Sequence, residues 1–144
     1  DTWPLFTENF QLVVNRNHAL AARVKIDFDD LRAEQLLSRS YCEHAARVNG
    51  SLREHGLDVD RSHEIASERD LIELLEADIG VAVVPDTALM PPTLKRATVE
   101  GLDARRTVNL YGVAGRERTA VAAAVMRMLR GADWQKVVGK VANT

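Results

Sequence analysis

The chain has 144 residues, which is long enough for one domain with a hydrophobic core or for two small lobes. Its net charge of −2, with Lys and Arg spread along the sequence, provides no basic face for nucleic acid. The single cysteine excludes an intrachain disulfide and a multi-cysteine metal site, and no apolar run reaches the roughly 18 residues that span a bilayer. We therefore expect a cytoplasmic globular protein without a cofactor, a metal site or a membrane span.

Predicted strands and helices alternate along most of the chain. Apolar runs bounded by turn residues indicate strands, and amphipathic runs indicate helices. In chain order we predict a strand at 10–14, a helical turn at 29–32, a strand at 35–38, a helix at 43–54, a strand at 62–66, a helix at 68–77, a strand at 81–84, an irregular connector at 91–103, a strand at 107–113, a helix at 119–129 and a tail without a clear anchor at 135–144.

Residues 71–85, LIELLEADIGVAVVP, are the most informative part of the chain. An amphipathic helix with Leu71 and Leu75 on one side breaks at Asp78 and leads directly into a fully apolar strand, which Pro85 ends. A continuous Val-rich strand is typical of a parallel sheet that is buried on both faces. We therefore predict that residues 35–84 form a parallel β-α-β-α-β unit with right-handed crossovers, and that the strands at 10–14 and 107–113 pair outside it.

Two loops follow strands of this predicted parallel unit, at the edge where α/β proteins bind ligands. The first loop contains Ser38, Arg39, Ser40, Tyr41 and Cys42, and the second contains Ala66 and Ser67. Each loop also carries a pattern typical of a helix capping box, Ser40 with Glu43 and Ser67 with Asp70. Both interpretations stay open: the two serines cap helices, or they contact a ligand at the helix N-termini.

The position of Cys42 near a predicted helix N-terminus allows two interpretations of its thiol. The helix dipole favours a thiolate, so a nucleophilic enzyme or a redox sensor is one hypothesis. A lone cysteine is more often a small buried apolar residue, and the chain has no second cysteine to resolve a disulfide. The acidic cluster of Asp27, Asp29 and Asp30 is interpreted as a helix cap rather than a metal site.

The order of several short motifs resembles the effector-binding domain of LysR-type transcriptional regulators. Together they extend over about residues 5–134. They are FQLVV at 10–14 followed by HALA at 18–21, the apolar step at 26–37, the helix stop at Gly56, the segment at 71–85, the return strand around Arg105 and Arg106, and the helix end at 129–130 near Trp134.

The resemblance implies a type 2 periplasmic-binding-protein-like α/β fold, in which a parallel-sheet lobe is inserted between strands of a second, incomplete lobe. It implies the first lobe at 1–14, the inserted lobe at 15–100, a return to the first lobe at 101–134 and a tail at 135–144. A small-molecule effector, often an anion, would bind in the cleft between lobes. The matching positions are the residues of the two loops above, together with Val84 and Pro85 at the end of the fourth strand.

The resemblance also implies partners and departures. Members dimerise through their regulatory domains and bind DNA only through a helix-turn-helix domain, which residues 1–144 lack, together with about half of the first lobe. Asp78 stands where the family has Gly, at a helix end that needs a left-handed backbone, and Ala19 stands where Pro is usual. We expect a regulatory domain and not an enzyme. The alternatives are a transport-type solute-binding protein fragment and a Cys42-based enzyme or redox sensor.

Overall fold

The computed structural model describes residues 1–142, and the chain forms two compact units. The sheet unit comprises Asn9–Ala104, and the terminal unit comprises Asp1–Glu8 together with the chain from Arg105 onward. The long first strand, β1 (Thr2–Asn15), contributes residues to both units. Within the described part of the chain, no helix is both long enough and apolar enough to cross a membrane.

The sheet unit contains the predicted alternation of strands and helices. Two 3-10 helices, Ala19–Ala22 and Val59–Arg61, supplement the regular elements. After β1 these elements are β2 (Lys25–Ile26), α1 (Phe28–Leu31), β3 (Leu36–Arg39), α2 (Ala45–Glu54), β4 (His63–Ile65), α3 (Glu68–Glu76), β5 (Val81–Pro85) and β6 (Leu94–Val99).

The strand order in the sheet unit is β2-β6-β1-β5-β3-β4. β3 is parallel to both β4 and β5, which confirms the predicted parallel β-α-β-α-β unit. β1 is antiparallel to β5 on one side and to β6 on the other, so the complete sheet is mixed. The FQLVV segment of β1 therefore lies in the middle of this sheet.

The apolar run of β5 is continuous because both faces of the strand are buried. Val81 and Val83 belong to one hydrophobic core, whereas Ala82 and Val84 belong to a second core on the opposite face. Side chains alternate across a strand, so a strand between two cores requires an apolar residue at every position. The second core also contains Leu71 and Leu75 of α3, which are fully buried.

Two of the three predicted helix caps form. Asp27 and Asp30 make a reciprocal capping box at the start of α1. The Ser67 hydroxyl accepts a hydrogen bond from the Asp70 N–H at 3.1 Å and caps α3. The capping box predicted for Ser40 is wrong, because α2 begins after His44 and the Ser40 hydroxyl donates instead to the carbonyl of Ile65 at 3.0 Å.

The predicted irregular connector at 91–103 is also wrong, because it contains β6. This strand pairs with the end of β1 and with β2. Leu94, Ala97 and Val99 of β6 are buried in the two cores. Buried and exposed residues do not alternate strictly along β6. Its sequence, LKRATV, therefore lacks the alternating apolar pattern by which a half-buried strand is predicted.

The terminal unit contains β7 (Arg105–Tyr111), α4 (Ala120–Gly131) and α5 (Trp134–Ala142). β7 pairs with β1. The prediction that the strand at 10–14 lies outside the parallel unit is wrong, because this part of β1 pairs with β5 of that unit and with β6. The prediction of an unanchored tail is wrong for residues 135–142, which belong to α5. The Trp134 indole N–H donates to the carbonyl of Leu129 at 2.6 Å, and its ring lies 5.9 Å from the ring of Phe6. Residues 143 and 144 lie outside the described residues.

Asp78 has the left-handed backbone that its position predicts, with φ of 55°. It follows the end of α3 in a Schellman motif. The Asp78 N–H donates to the carbonyl of Leu75 at 3.0 Å, and the Ile79 N–H donates to the carbonyl of Leu74 at 3.1 Å. These bonds hold a non-glycine residue in a conformation that usually favours glycine.

Gly80→Ala is expected to destabilise the chain because Gly80, just before β5, is closely approached by the backbone just before β3. A Cβ atom at Gly80 would lie 2.5 Å from the carbonyl oxygen of Gln35 and 2.9 Å from Leu37 Cγ. We expect a loss of about 1–3 kcal/mol in the free energy of unfolding, measured by urea denaturation. Gly50→Ala is the control, since a Cβ there meets nothing within 4 Å and should stabilise α2 by about 0.5–1 kcal/mol. Equal stability of the two variants would contradict this account.

Candidate functional site

The two predicted ligand loops are neighbours at the carboxyl edge of the parallel strands. Arg39, the last residue of β3, pairs with Ile65, the last residue of β4. The carbonyl of Ile65 then accepts hydrogen bonds from both the backbone N–H and the hydroxyl of Ser40, at 3.2 and 3.0 Å. The structure therefore joins the loop after β3 to the end of β4, immediately before Ala66 and Ser67.

Arg39, Tyr41 and Glu68 form a hydrogen-bonded cluster across these loops. Arg39 Nη2 donates to Glu68 Oε2 at 3.0 Å, and Arg39 Nε donates to the Tyr41 hydroxyl oxygen at 3.0 Å. The Tyr41 hydroxyl donates in turn to the same Glu68 carboxylate oxygen. The guanidinium carbon also lies 5.0 Å from the centre of the Tyr41 ring. The cluster fixes one cation and one anion at the edge of the sheet.

The environment of the cluster shifts the pKa of two of its members. Burial raises the pKa of the Tyr41 phenol to about 12, and the hydrogen bond to Glu68 acts in the same direction. Burial lowers the pKa of the Arg39 guanidinium, but the hydrogen bond to Tyr41 and the charge of Glu68 outweigh it, so that this pKa is raised overall. At neutral pH, Arg39 is therefore a permanent cation and Tyr41 a neutral hydrogen-bond donor.

Ser38, Arg39 and Cys42 also line a cavity between β3 and α2. Its volume is about 20 Å³, and most of its lining is apolar. Asn49 of α2 lines the same cavity and donates from Nδ2 to the Ser38 hydroxyl oxygen at 3.2 Å. Cys42 is half-buried and packs against the first hydrophobic core.

The remaining predicted site residues differ in exposure. Ala66 is exposed, and Ser67 is half-buried at the N-terminus of α3. The side chains of Val84 and Pro85 are fully buried. β5 lies beside β3, so that its carboxyl end reaches the same edge of the sheet as the two loops. The carbonyl of Pro85 accepts hydrogen bonds from the Ala88 N–H at 3.0 Å and from Arg96 Nη1 at 3.4 Å.

Two residues of the site were missed from the sequence. Glu68 directly follows the capping Ser67, where an acidic residue has an ordinary reason to complement the helix dipole. Asn49 lies in the middle of α2, four positions after Ala45, which is about one helical turn and places both residues on the same face. A polar residue at this spacing on the sheet-facing side of a helix is the signal that could have identified it.

The family of the chain follows from sequence comparison. Residues 1–134 match the family described as the LysR substrate binding domain. The chain therefore belongs to this family, which forms the effector-binding regulatory domain of LysR-type regulators. No curated protein sequence matches the chain.

Solved structures share the fold. The effector binding domain of QuiR in complex with shikimate has a TM-score of 0.69 and 14% identity, over 90% of this chain and 63% of that one. The regulatory domain of Synechocystis PCC6803 CcmR in complex with 2-PG has a TM-score of 0.72 and 14% identity, over 90% and 65%. The BenM effector binding domain with benzoate has a TM-score of 0.70 and 18% identity, over 96% and 65%.

These comparisons define the class of the fold. It is the type 2 periplasmic-binding-protein-like α/β fold, as the sequence resemblance implied. The present chain spans a little under two thirds of the length of these solved domains.

The Tyr41 phenol is expected to titrate at a pH of about 12. A Tyr111→Phe variant leaves Tyr41 as the only tyrosine, so that its phenolate absorbance can be followed alone in the ultraviolet. Because this pKa is higher in the folded than in the unfolded chain, the folded state favours the protonated phenol. The resulting contribution to stability is fully present below a pH of about 10 and is lost as the pH rises through about 12. Adding Glu68→Gln removes the neighbouring charge and should lower the pKa of Tyr41. An unchanged midpoint would exclude the Glu68 contact.

Proposed function

We propose that this chain is the small-molecule effector-binding part of a LysR-family DNA-binding transcriptional regulator, which senses a metabolite and thereby controls transcription. The observation that carries the proposal is the junction of the two loops at one sheet edge. Ser40 and Arg39 join the end of β3 to Ile65 and Glu68, in a chain that belongs to this family. The chain has no catalytic role in this proposal.

The proposed effector is a small organic acid. Arg39 supplies a fixed cation, and the N-terminus of α3 adds free N–H groups and a positive dipole end. Shikimate and benzoate, which are named with two of the related domains, are both carboxylic acids. The proposed binding residues are those of the two loops and the end of β5: Ser38, Arg39, Ser40, Tyr41, Cys42, Ala66, Ser67, Val84 and Pro85.

The ion pair between Arg39 and Glu68 provides a way for occupancy to change the structure. An incoming carboxylate competes with Glu68 for the N–H groups of Arg39. Glu68 is the first residue of α3, so its release changes the contacts that hold the start of this helix. The ligand favours the state in which Glu68 is displaced, which is a shift between two populations of the domain.

Ser40→Leu and Ser67→Leu are each expected to abolish effector binding while the fold survives. A thermal-shift screen of small carboxylic acids identifies the ligand, and calorimetry then measures its affinity for each variant. Ser40 is exposed and Ser67 is half-buried at the start of α3, so a leucine at either position fills space beside the loops. Ser67→Leu also removes a helix cap, which costs about 1 kcal/mol of stability. Ala46→Leu on the exposed face of α2 is the control and should bind normally. Unchanged affinity in both serine variants would refute the site.

Glu68→Gln is expected to strengthen carboxylate binding by about three- to tenfold. The variant removes the internal competitor for Arg39, and a gain of this size corresponds to about 0.7–1.4 kcal/mol. Asp70→Asn is the matched control, because it removes the same charge from the same helical turn without contacting Arg39 in the structure. Weaker binding by the Glu68→Gln variant would show that Glu68 supports the ligand rather than competing with it.

Family membership also supports a proposal about the oligomer and the DNA-binding domain of the whole regulator. We propose a cytoplasmic homo-oligomer formed through the regulatory domains, with DNA bound only by a helix-turn-helix domain outside residues 1–144 and no contact with a membrane. Sedimentation velocity tests the oligomer, and a strictly monomeric regulator would refute it. DNA binding that survives removal of the helix-turn-helix domain would refute the second part.

A further inference from the structure

The cavity between β3 and α2 is large enough for one water molecule or one small ion. Its volume of about 20 Å³ exceeds the roughly 10–15 Å³ that one water molecule needs, and it is far too small for an aromatic or sugar-like acid. Its apolar walls include Phe10, Val48, Leu52 and Val83. An occupant of this cavity therefore differs from the effector proposed for the loops.

Several of the polar groups that line the cavity can donate hydrogen bonds. The Arg39 side chain is only 10% exposed, and its Nη1 is buried without a hydrogen-bond partner in the described part of the chain. The Ser38 hydroxyl oxygen accepts a hydrogen bond from Asn49 Nδ2, which leaves the Ser38 O–H free to donate. Asn49 retains a second N–H on the same nitrogen.

Arg39 is the only charged residue among the described residues that line the cavity. Glu68 neutralises Arg39 from the Nη2 side and does not line the cavity. A buried guanidinium N–H without an acceptor is costly, so the cavity favours an occupant that accepts hydrogen bonds.

We propose that this cavity binds a monatomic anion of the halide class, held by Arg39 Nη1, the Ser38 hydroxyl and the Asn49 amide. A halide accepts hydrogen bonds from all three donors and needs no acceptor in return. A water molecule also fits the volume and is the competing occupant, because Asn49 and Ser62, which line the same cavity, carry oxygens that can accept its protons. A hydrogen bond from a guanidinium to an anion is charge-assisted and stronger than one to water, which favours the anion. The guanidinium excludes a cation. The bound anion would fix Arg39 from the side of the cavity and so hold the loop that carries Ser40 and Tyr41.

Bromide is the probe for this site, because its anomalous scattering identifies it in a crystal. The expected result is one anomalous peak within hydrogen-bond distance of Arg39 Nη1 and Ser38 Oγ in crystals grown with sodium bromide. The peak should be absent from an Ala45→Leu variant, since Ala45 lines the cavity and the larger side chain fills it. Density for an ordered water only, without an anomalous signal, would overturn the proposal.

Thermal unfolding in sodium bromide tests the same site in solution. The Tm of the wild-type chain should rise saturably, by about 3 °C at roughly ten times the dissociation constant. The Ala46→Leu chain should respond like the wild type, because Ala46 is the next residue of α2 and does not line the cavity. General salt effects are common to both chains and cancel in the comparison. Ala45→Leu should lack the saturable rise.

Ser38→Ala provides a second variant should Ala45→Leu fail to fold. It keeps the cavity and removes one donor, so that the dissociation constant for bromide should increase about tenfold. An identical bromide response in the wild-type and Ser38→Ala chains would overturn the proposal. Neither measurement depends on an organic effector, so the anion site stands or falls separately from the proposed regulatory function.

Discussion

β3 is hydrogen-bonded to β4 on one side and to β5 on the other, and the position of the candidate site depends on this arrangement. Because the three strands are parallel, their carboxyl ends reach one edge of the sheet. Both faces of β5 are buried against separate cores, so the strand cannot shift by one residue without exchanging its two faces. The loops after β3 and β4 are thus held beside each other by the burial of side chains that contact no ligand.

The cluster of Arg39, Tyr41 and Glu68 depends on the same edge. A largely buried cation is stable in a protein when it is paired and hydrogen-bonded, and two of the three guanidinium nitrogens of Arg39 meet this condition. The third, Nη1, has no partner among the described residues and belongs to a residue that lines the cavity below. One side chain therefore connects the exposed loops with the interior between β3 and α2, which is the physical link between the two proposed sites.

Predictions from sequence succeeded where a structural requirement acts on neighbouring residues and therefore leaves a local pattern. The two-sided burial of β5 required an unbroken apolar run, and the end of α3 at Asp78 required a left-handed residue, so both were visible in the sequence. The same reasoning missed β6, because its polar residues conceal a strand that pairing with β1 stabilises. It also missed α5, whose first residue is held by Leu129 and Phe6, contacts that no spacing in the sequence reveals.

The sequence by itself determined the family, the parallel unit from β3 to β5 and the two loops that end its strands, because periodicity, turn residues and motif order are local properties. Only the tertiary structure decided what the loop residues do. Ser40 has the pattern of a helix cap, yet its hydroxyl bonds to Ile65, 25 residues away. Arg39 reaches Glu68 across a distance of 29 residues. Such contacts depend on which strands are neighbours in the sheet, and strand order is set by the packing of the whole unit rather than by any single segment.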